Sequence, residues 1–295
     1  MKAAPFEYSR PSDIDEACAL LVAEPDARII AGGQTLVPMM AMRLARPTRL
    51  VDIARIEALS YVREDGGHLA IGAATRQCAI ERDPLVAARV PLLAAAMPWV
   101  GHAATRARGT IGGSLANADP AAELALVAVT LDARMVYREA GRDDEIPASD
   151  FFVGPTMTAL PAAACLTGVR FPVWNEARIG VGFHEVSARR SDFAFVSAAA
   201  QVALATDGAC QRAAVGVGAI ADVPFRLKAV EQAMIGKRPD SAHLRSAVEN
   251  ALAEIEVNSD LHASAAYRRR VAATLALRAI ADACAQAKQR GAHAR

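Results

Sequence analysis

Two stretches of this sequence pair adjacent glycines with hydroxyl and amide side chains: AGGQTLVP, from Ala31 to Pro38, and RGTIGGSLANADPAAE, from Arg108 to Glu123. Glycine lacks a Cβ, so Gly32-Gly33 and Gly112-Gly113 can reach positive φ and turn backbone N–H groups toward an anion without a side-chain collision. Thr35, Thr110, Ser114 and Asn117 offer further side-chain donors. Donors shared between two loops suit the several oxygens of a diphosphate. Neither loop carries the lysine that a nucleotide hydrolase sets beside a γ-phosphate. The expected ligand is a dinucleotide held between two halves of one cradle, not ATP.

The flanking sequence predicts elements that would position both loops. Ser12 is placed to cap a helix beginning at Asp13, whose apolar stripe is ACALLVAEP. ARIIAGG reads as a short buried strand, so the first loop sits at a strand's C-terminal end and opens a helical segment from about Leu36 to Arg43. The strand RLVDI follows Pro47, and SYVREDGGHLAIGA reads as a hairpin around Asp65-Gly66-Gly67. Helical periodicity broken at Pro84 and Pro91 leads through Trp99 and His102 into the second loop. The helix AAELALVAVTLDA, the strand ARMVYRE, a polar loop GRDDEIPASD and the strand AACLTGVRFP come next. Beyond Pro172 the pattern changes: VWNEAR reads as a linker, and three antiparallel strands then precede an almost wholly helical end from Pro224.

Other candidate motifs have simpler explanations. Gly216-Val217-Gly218-Ala219-Ile220-Ala221 fits a GxGxxA fingerprint, but its glycines fall inside a predicted strand and no helix opens behind them, which leaves a close-packed strand. Gly112-Gly113-Ser114-Leu115-Ala116 lacks the second glycine of a nucleophile elbow. The six histidines show no HExxH or comparable spacing, so no metal is expected, and His68 and His293 read as solvated. Five dispersed cysteines form no ligand-spaced cluster, which argues against an iron-sulfur centre on this chain and for a reducing, cytoplasmic setting. The net charge of +1, from 33 basic and 32 acidic residues, gives no footprint for nucleic acid, and no apolar run is long enough for a membrane span.

AGGQTLVPMM, RGTIGGSLANADPAAE and the later ARRSDFA resemble the FAD-binding medium subunit of molybdenum hydroxylases, the carbon monoxide dehydrogenase and xanthine dehydrogenase group. The likeness runs from FEYSRPSDIDEA to SAAYRRRVAATLALRA, with departures at Ala103-Ala104-Thr105, Ala125 and Ala163-Ala164. It implies an α+β chain: a two-lobed FAD-binding domain of the vanillyl-alcohol oxidase (PCMH) type over 1–174, with lobes of about 1–56 and 57–174, then a small antiparallel-sheet and helix domain over 175–290. It also implies an oxidoreductase subunit that transfers electrons through FAD and contributes no catalytic side chain. Molybdopterin cofactor would lie on a large partner and iron-sulfur clusters on a small one, in a dimer of heterotrimers.

The residues then expected at FAD are Ile30, Ala31, Gly32, Gly33, Gln34, Thr35 and Leu36 in the first loop, with Thr110, Ile111, Gly112, Gly113, Ser114 and Asn117 in the second. Gly101 and His102 precede the second loop, and Leu166 is added from the strand after it. Glu123 is expected to hydrogen-bond an FAD hydroxyl, its alternative being complementation of a helix dipole, while Asp119 reads as an Asx turn before Pro120. His184, after Phe183, is expected to line the flavin pocket. Arg189 or Arg190 reads either as a basic group beside the reduced flavin or as an interface ion pair. An alternative on the same fold is a self-sufficient FAD-dependent oxidoreductase, although no proton donor for substrate is evident. A flavin-free scaffold is a third reading, opposed by the intact glycines.

Overall fold

The structure, a computed structural model, describes residues 2–239 and 241–292. The first lobe is built from β1 (Glu7–Ser9), α1 (Ile14–Ala23), β2 (Arg28–Ile30), α2 (Leu36–Ala41) and β3 (Arg49–Asp52). Its three strands form a parallel sheet in the order β1-β3-β2, and a small core of Ala17, Cys18, Leu21, Val51 and Ile53 joins it to α1. Asp13, not Ser12, caps α1. Its Oδ1 accepts the Glu16 N–H at 2.9 Å, while Ser12 donates its N–H to Glu16 Oε2 at 2.7 Å. Glu16, three residues beyond Asp13, gives its N–H to Asp13 and takes the N–H of Ser12 with its side chain, a box-like exchange that moves the cap one residue along. α2 ends at Ala41, short of Arg43, whose φ is 60°.

The second lobe runs through β4 (Val62–Asp65), β5 (His68–Gly72), α3 (Gln77–Arg82), α4 (Pro84–Arg89), α5 (Pro91–Ala96), α6 (Ala103–Arg108), α7 (Ile111–Asn117) and α8 (Glu123–Thr130). It continues with β6 (Arg134–Glu139), β7 (Arg142–Pro147), α9 (Ala148–Phe151), β8 (Phe152–Gly154), β9 (Met157–Thr158) and β10 (Cys165–Pro172). Five strands pair in the order β4-β5-β10-β6-β7, and α8, buried along its whole length, lies at the centre of the largest core. Gly66 and Gly67, at φ 54° and 81°, make the two-residue β4–β5 turn, a geometry that needs positive φ at both positions. The segment GRDDEIPASD departs from its expected loop: Arg142–Pro147 is β7. It is an edge strand, where exposed charge is compatible with pairing and keeps the edge from recruiting further strands.

The C-terminal domain carries β11 (Ile179–Ser187), β12 (Ala194–Leu204), β13 (Cys210–Gly218), β14 (Phe225–Arg226), α10 (Lys228–Met234), α11 (Ser241–Ala253) and α12 (Ala265–Ala292). Its antiparallel sheet has four strands, one more than the sequence predicts, because Phe225 and Arg226 pair with Val217 and Gly216. One sheet face packs on α12 and the other on α5 and α8. A side chain at Gly216 would collide with Thr130 of α8, so the fingerprint-like glycines serve this packing. His68 Nδ1 lies 3.2 Å from the Gly66 carbonyl; His293 falls outside the described residues.

Candidate dinucleotide-binding site

The first glycine loop leaves β2 at Ile30 and enters α2 at Leu36. Gly33 has φ 68°, a conformation that costs other residues strain. The loop's carbonyls are used internally: Gly32 accepts Gln34 Nε2 at 3.1 Å, Gly33 accepts the Val37 N–H at 3.1 Å and Thr35 accepts the Met39 N–H at 3.1 Å. Among the described residues, the N–H groups of Gly32, Gly33, Gln34 and Thr35 find no acceptor. The Thr35 hydroxyl makes no cap bond. A loop that uses three of its carbonyls internally and leaves these donors free is poised for an anion.

The second motif does something different. It folds as α7, with Thr110 as N-cap, and its amides are already engaged. Ile111 donates to Thr75 O at 3.1 Å, Gly112 to Ala73 O at 2.9 Å, Gly113 to Thr110 Oγ1 at 3.0 Å and Ser114 to Thr110 O at 3.2 Å. Gly112 and Gly113 are thus helical, and neither has positive φ. Gly112 is small because a Cβ would strike the Ala73 backbone. This motif supports the first loop from behind. A Cβ on Gly32 would sit 2.5 Å from the Arg108 carbonyl oxygen and 2.7 Å from Gly109 Cα. The side chains of Ser114 and Asn117 remain half-buried with no hydrogen bond to other described residues.

Between the loops opens a cleft of about 790 Å³. Ile30, Ala31, Gly32, Gly33 and Gln34 line one side with Val37 and Pro38, Arg76, Ala107 and Arg108 line the other, and Tyr8, Arg10, Asp52, Ala54 and Arg55 complete it. Free amides together with arginines form a donor set that fits a diphosphate, so these residues match the dinucleotide the sequence anticipates. Sequence reasoning passed over the arginines. They are dispersed through the chain, and only folding gathers them.

The other anticipated residues lie around this cleft or away from it. Thr110 and Ile111 are buried behind the first loop, and Leu166 is buried in the main core on β10. Gly101, at φ 47°, forms a turn whose carbonyl accepts Arg106 Nη1 at 2.8 Å, and His102 is exposed at the start of α6. Arg106 is itself held by Glu81 at 2.8 Å. Asp119 makes the expected Asx turn, its Oδ1 accepting the Ala121 N–H at 2.9 Å.

Glu123 begins α8 at the seam with the C-terminal sheet and is only 9% exposed. Burial raises its carboxyl to about 8, with Glu185 and Asp119 adding repulsion. Burial also raises Glu185 to about 7, and both of its carboxylate oxygens are buried without a partner. Glu185 was not among the anticipated residues, although strand alternation places it on the Phe183 side of β11. Phe183 packs against Trp99, ring centres 6.0 Å apart. The opposite side of β11 presents Gly180 and Gly182 to the backbone of α12, and His184 follows them there, its Nε2 2.8 Å from Asp282 Oδ2. The structure therefore does not bring His184 to the glycine loops. Arg189 pairs with Asp192 at 3.1 Å, and it and Arg190 are exposed.

A two-lobed domain with a phosphate-ready loop between its lobes, joined to a sheet-and-helix domain, defines a flavoprotein of the vanillyl-alcohol oxidase type. The sequence pattern of the FAD-binding domain in molybdopterin dehydrogenases matches residues 4–174, and that of the carbon monoxide dehydrogenase flavoprotein C-terminal domain matches residues 182–283. The chain belongs to this family of FAD-binding medium subunits, and so to the oxidoreductases. It is 34% identical over 289 residues to the alpha subunit of the 6-hydroxypseudooxynicotine dehydrogenase complex of Paenarthrobacter nicotinovorans, covering 98% of this chain and 97% of that one. It is 35% identical over 286 residues to caffeine dehydrogenase subunit beta of Pseudomonas sp. (strain CBB1), covering 96% of each. Among solved structures, carbon monoxide dehydrogenase from Hydrogenophaga pseudoflava superimposes with a TM-score of 0.93 at 32% identity, over 97% of this chain and 99% of that one. Quinoline 2-oxidoreductase from Pseudomonas putida 86 gives 0.92 at 34%, with the same coverage.

Proposed function

We propose that this chain carries FAD as the electron-transfer subunit of a molybdenum hydroxylase, taking electrons from an iron-sulfur subunit and releasing them to an external acceptor. A molybdenum-containing large subunit would oxidise the organic substrate, in a dimer of heterotrimers. The observation that carries the reading is the first glycine loop, where Gly32, Gly33 and Gln34, each with an unpaired N–H, line a cleft between two lobes and Thr35 adds a fourth unpaired N–H beside them. Bound FAD supplies the redox chemistry, accepting and giving up electrons at its isoalloxazine. The chain's own residues bind and orient it.

In this reading the amides of Gly32, Gly33, Gln34 and Thr35 hold the diphosphate, with Ile30, Ala31 and Leu36 shaping the loop. Thr110, Ile111, Gly112 and Gly113 fix that loop from behind. Ser114, Asn117, Gly101, His102 and Leu166 are assigned to the remaining cofactor surface, supported by the free polar side chains of the first two. Glu123, without a cation, suits a hydroxyl donor from the cofactor. The domain boundary is placed at 174/175 and the lobe boundary at 56/57, supported by the sheets that stop at Asp52 and Pro172 and resume at Val62 and Ile179. No helix among the described residues is long and apolar enough to cross a membrane, and all five cysteines are free thiols. The thiols support a cytoplasmic assignment.

The test is anaerobic mixing with the organic substrate. The FAD of the isolated chain should stay oxidised and should bleach once both partner subunits are added. Bleaching in the isolated chain would instead establish a self-sufficient enzyme.

A further inference from the structure

The cleft carries a charge imbalance that the glycine loop does not explain. Four arginines line it, Arg10, Arg55, Arg76 and Arg108, against one acidic side chain, Asp52. That single acid is already occupied. It accepts the Tyr8 hydroxyl and the Ala54 N–H, and Arg10 lies 3.9 Å away while also donating to Tyr8 Oη at 3.0 Å. Arg10 is therefore spent on holding β1 to β3. Arg76 is partly spent as well, since its Nη1 donates to the Arg108 carbonyl. Arg55 and Arg108 are different: both are exposed, and neither has a protein partner among the described residues.

Their places in the fold matter as much as their freedom. Arg55 follows β3 on the first lobe, and Arg108 ends α6 on the second, so the two guanidinium groups belong to opposite walls. Gly32, Gly33 and Gln34 of the first glycine loop, with their unpaired amides, line the same cleft. Guanidinium presents several N–H donors in a planar fork that matches phosphate oxygens, and each charge-assisted hydrogen bond is stronger than one from a neutral backbone amide. Loop amides alone leave most of a diphosphate's charge uncompensated.

Resting on the reading of this cleft as the FAD site, we infer that Arg55 and Arg108 form a clamp that neutralises the cofactor's diphosphate from both lobes at once. Arg76 is a positioning residue, fixing the backbone from which Arg108 projects. The clamp makes retention of the whole dinucleotide depend on the two lobes being held together, and it discriminates FAD from flavins that lack phosphate.

Titration of FAD and of riboflavin into the flavin-free full chain, followed by flavin fluorescence, tests the clamp. Arg55→Gln and Arg108→Gln should each weaken FAD binding about tenfold at low salt, the double variant weakening it further. The loss should shrink at high salt, where exposed charges are screened. Riboflavin affinity and melting temperature should stay unchanged, because neither side chain has a protein partner to lose. A double variant that binds FAD as the unaltered chain does would overturn the clamp and leave the flavin reading standing, as would a parallel loss of riboflavin binding. If the unaltered chain bound no FAD, the flavin reading would fall and the clamp with it.

Discussion

Gly33 and Gly112 look alike in the sequence and answer different physical demands. Gly33 is held at positive φ, so Gly33→Ala should weaken FAD binding and cost about 1 kcal/mol of stability. Gly112 is helical but pressed on the Ala73 backbone, so Gly112→Ala should overpack the junction and cost about 1 to 3 kcal/mol. Denaturant midpoints of the two flavin-free variants, read beside FAD titrations, separate the effects. Equal FAD losses with unchanged midpoints in both would refute this division of roles.

The buried carboxyls predict a pH dependence with a definite sign. Glu123 and Glu185 rise to about 8 and about 7 from an ordinary value of 4.5, with Asp119 as a further acidic neighbour and no basic side chain offsetting their burial. A raised carboxyl means that the fold binds protons more tightly than the unfolded chain. Its contribution to stability is complete below about pH 4.5 and is lost as pH climbs through the folded values. The stability of the unaltered flavin-free chain relative to Glu123→Gln should therefore fall between about pH 5 and pH 8. A difference independent of pH would mean that Glu123 is ionised throughout.

At the scale of elements, α7 depends on its cap. Removing the hydroxyl in Thr110→Ala should cost about 1 kcal/mol, since Gly113 N–H loses its acceptor, while Thr110→Ser should retain most of it. Chemical denaturation of the three proteins measures this, and an Ala variant as stable as the Ser variant would show that the cap contributes nothing. Much of this level was legible from the chain. The strand before AGGQT, the Asp65-Gly66-Gly67 turn and the breaks at Pro84 and Pro91 have local causes, and local causes are visible in sequence. β7 was not legible although it forms a tight hairpin with β6 at Ala140-Gly141, with φ 47° and 76°, because the run of charged residues on this edge strand hides the alternation that marks a strand. The facing of His184 was missed for a related reason: alternation separates Phe183 from His184, but only the packed sheet shows which side meets α12.

At the scale of the molecule, the two lobes and the C-terminal domain meet around one cleft and one seam, and the candidate site draws on widely separated segments. The glycine loops could be found because backbone freedom leaves a mark in residue type. Arg55, Arg76 and Glu185 could not, because each is ordinary locally and gains meaning from its neighbours in space, and Arg108, although it opens the second motif, gains its role only from the cleft it lines. On the proposed reading this chain by itself holds one FAD through the first glycine loop. The most direct measurement is the visible absorption spectrum of the purified full chain after incubation with FAD and removal of free flavin, with the flavin-to-protein ratio determined. The expected result is an oxidised flavin spectrum at one FAD per chain, sharply reduced in Gly33→Val. A folded, unaltered chain that emerges colourless would contradict it.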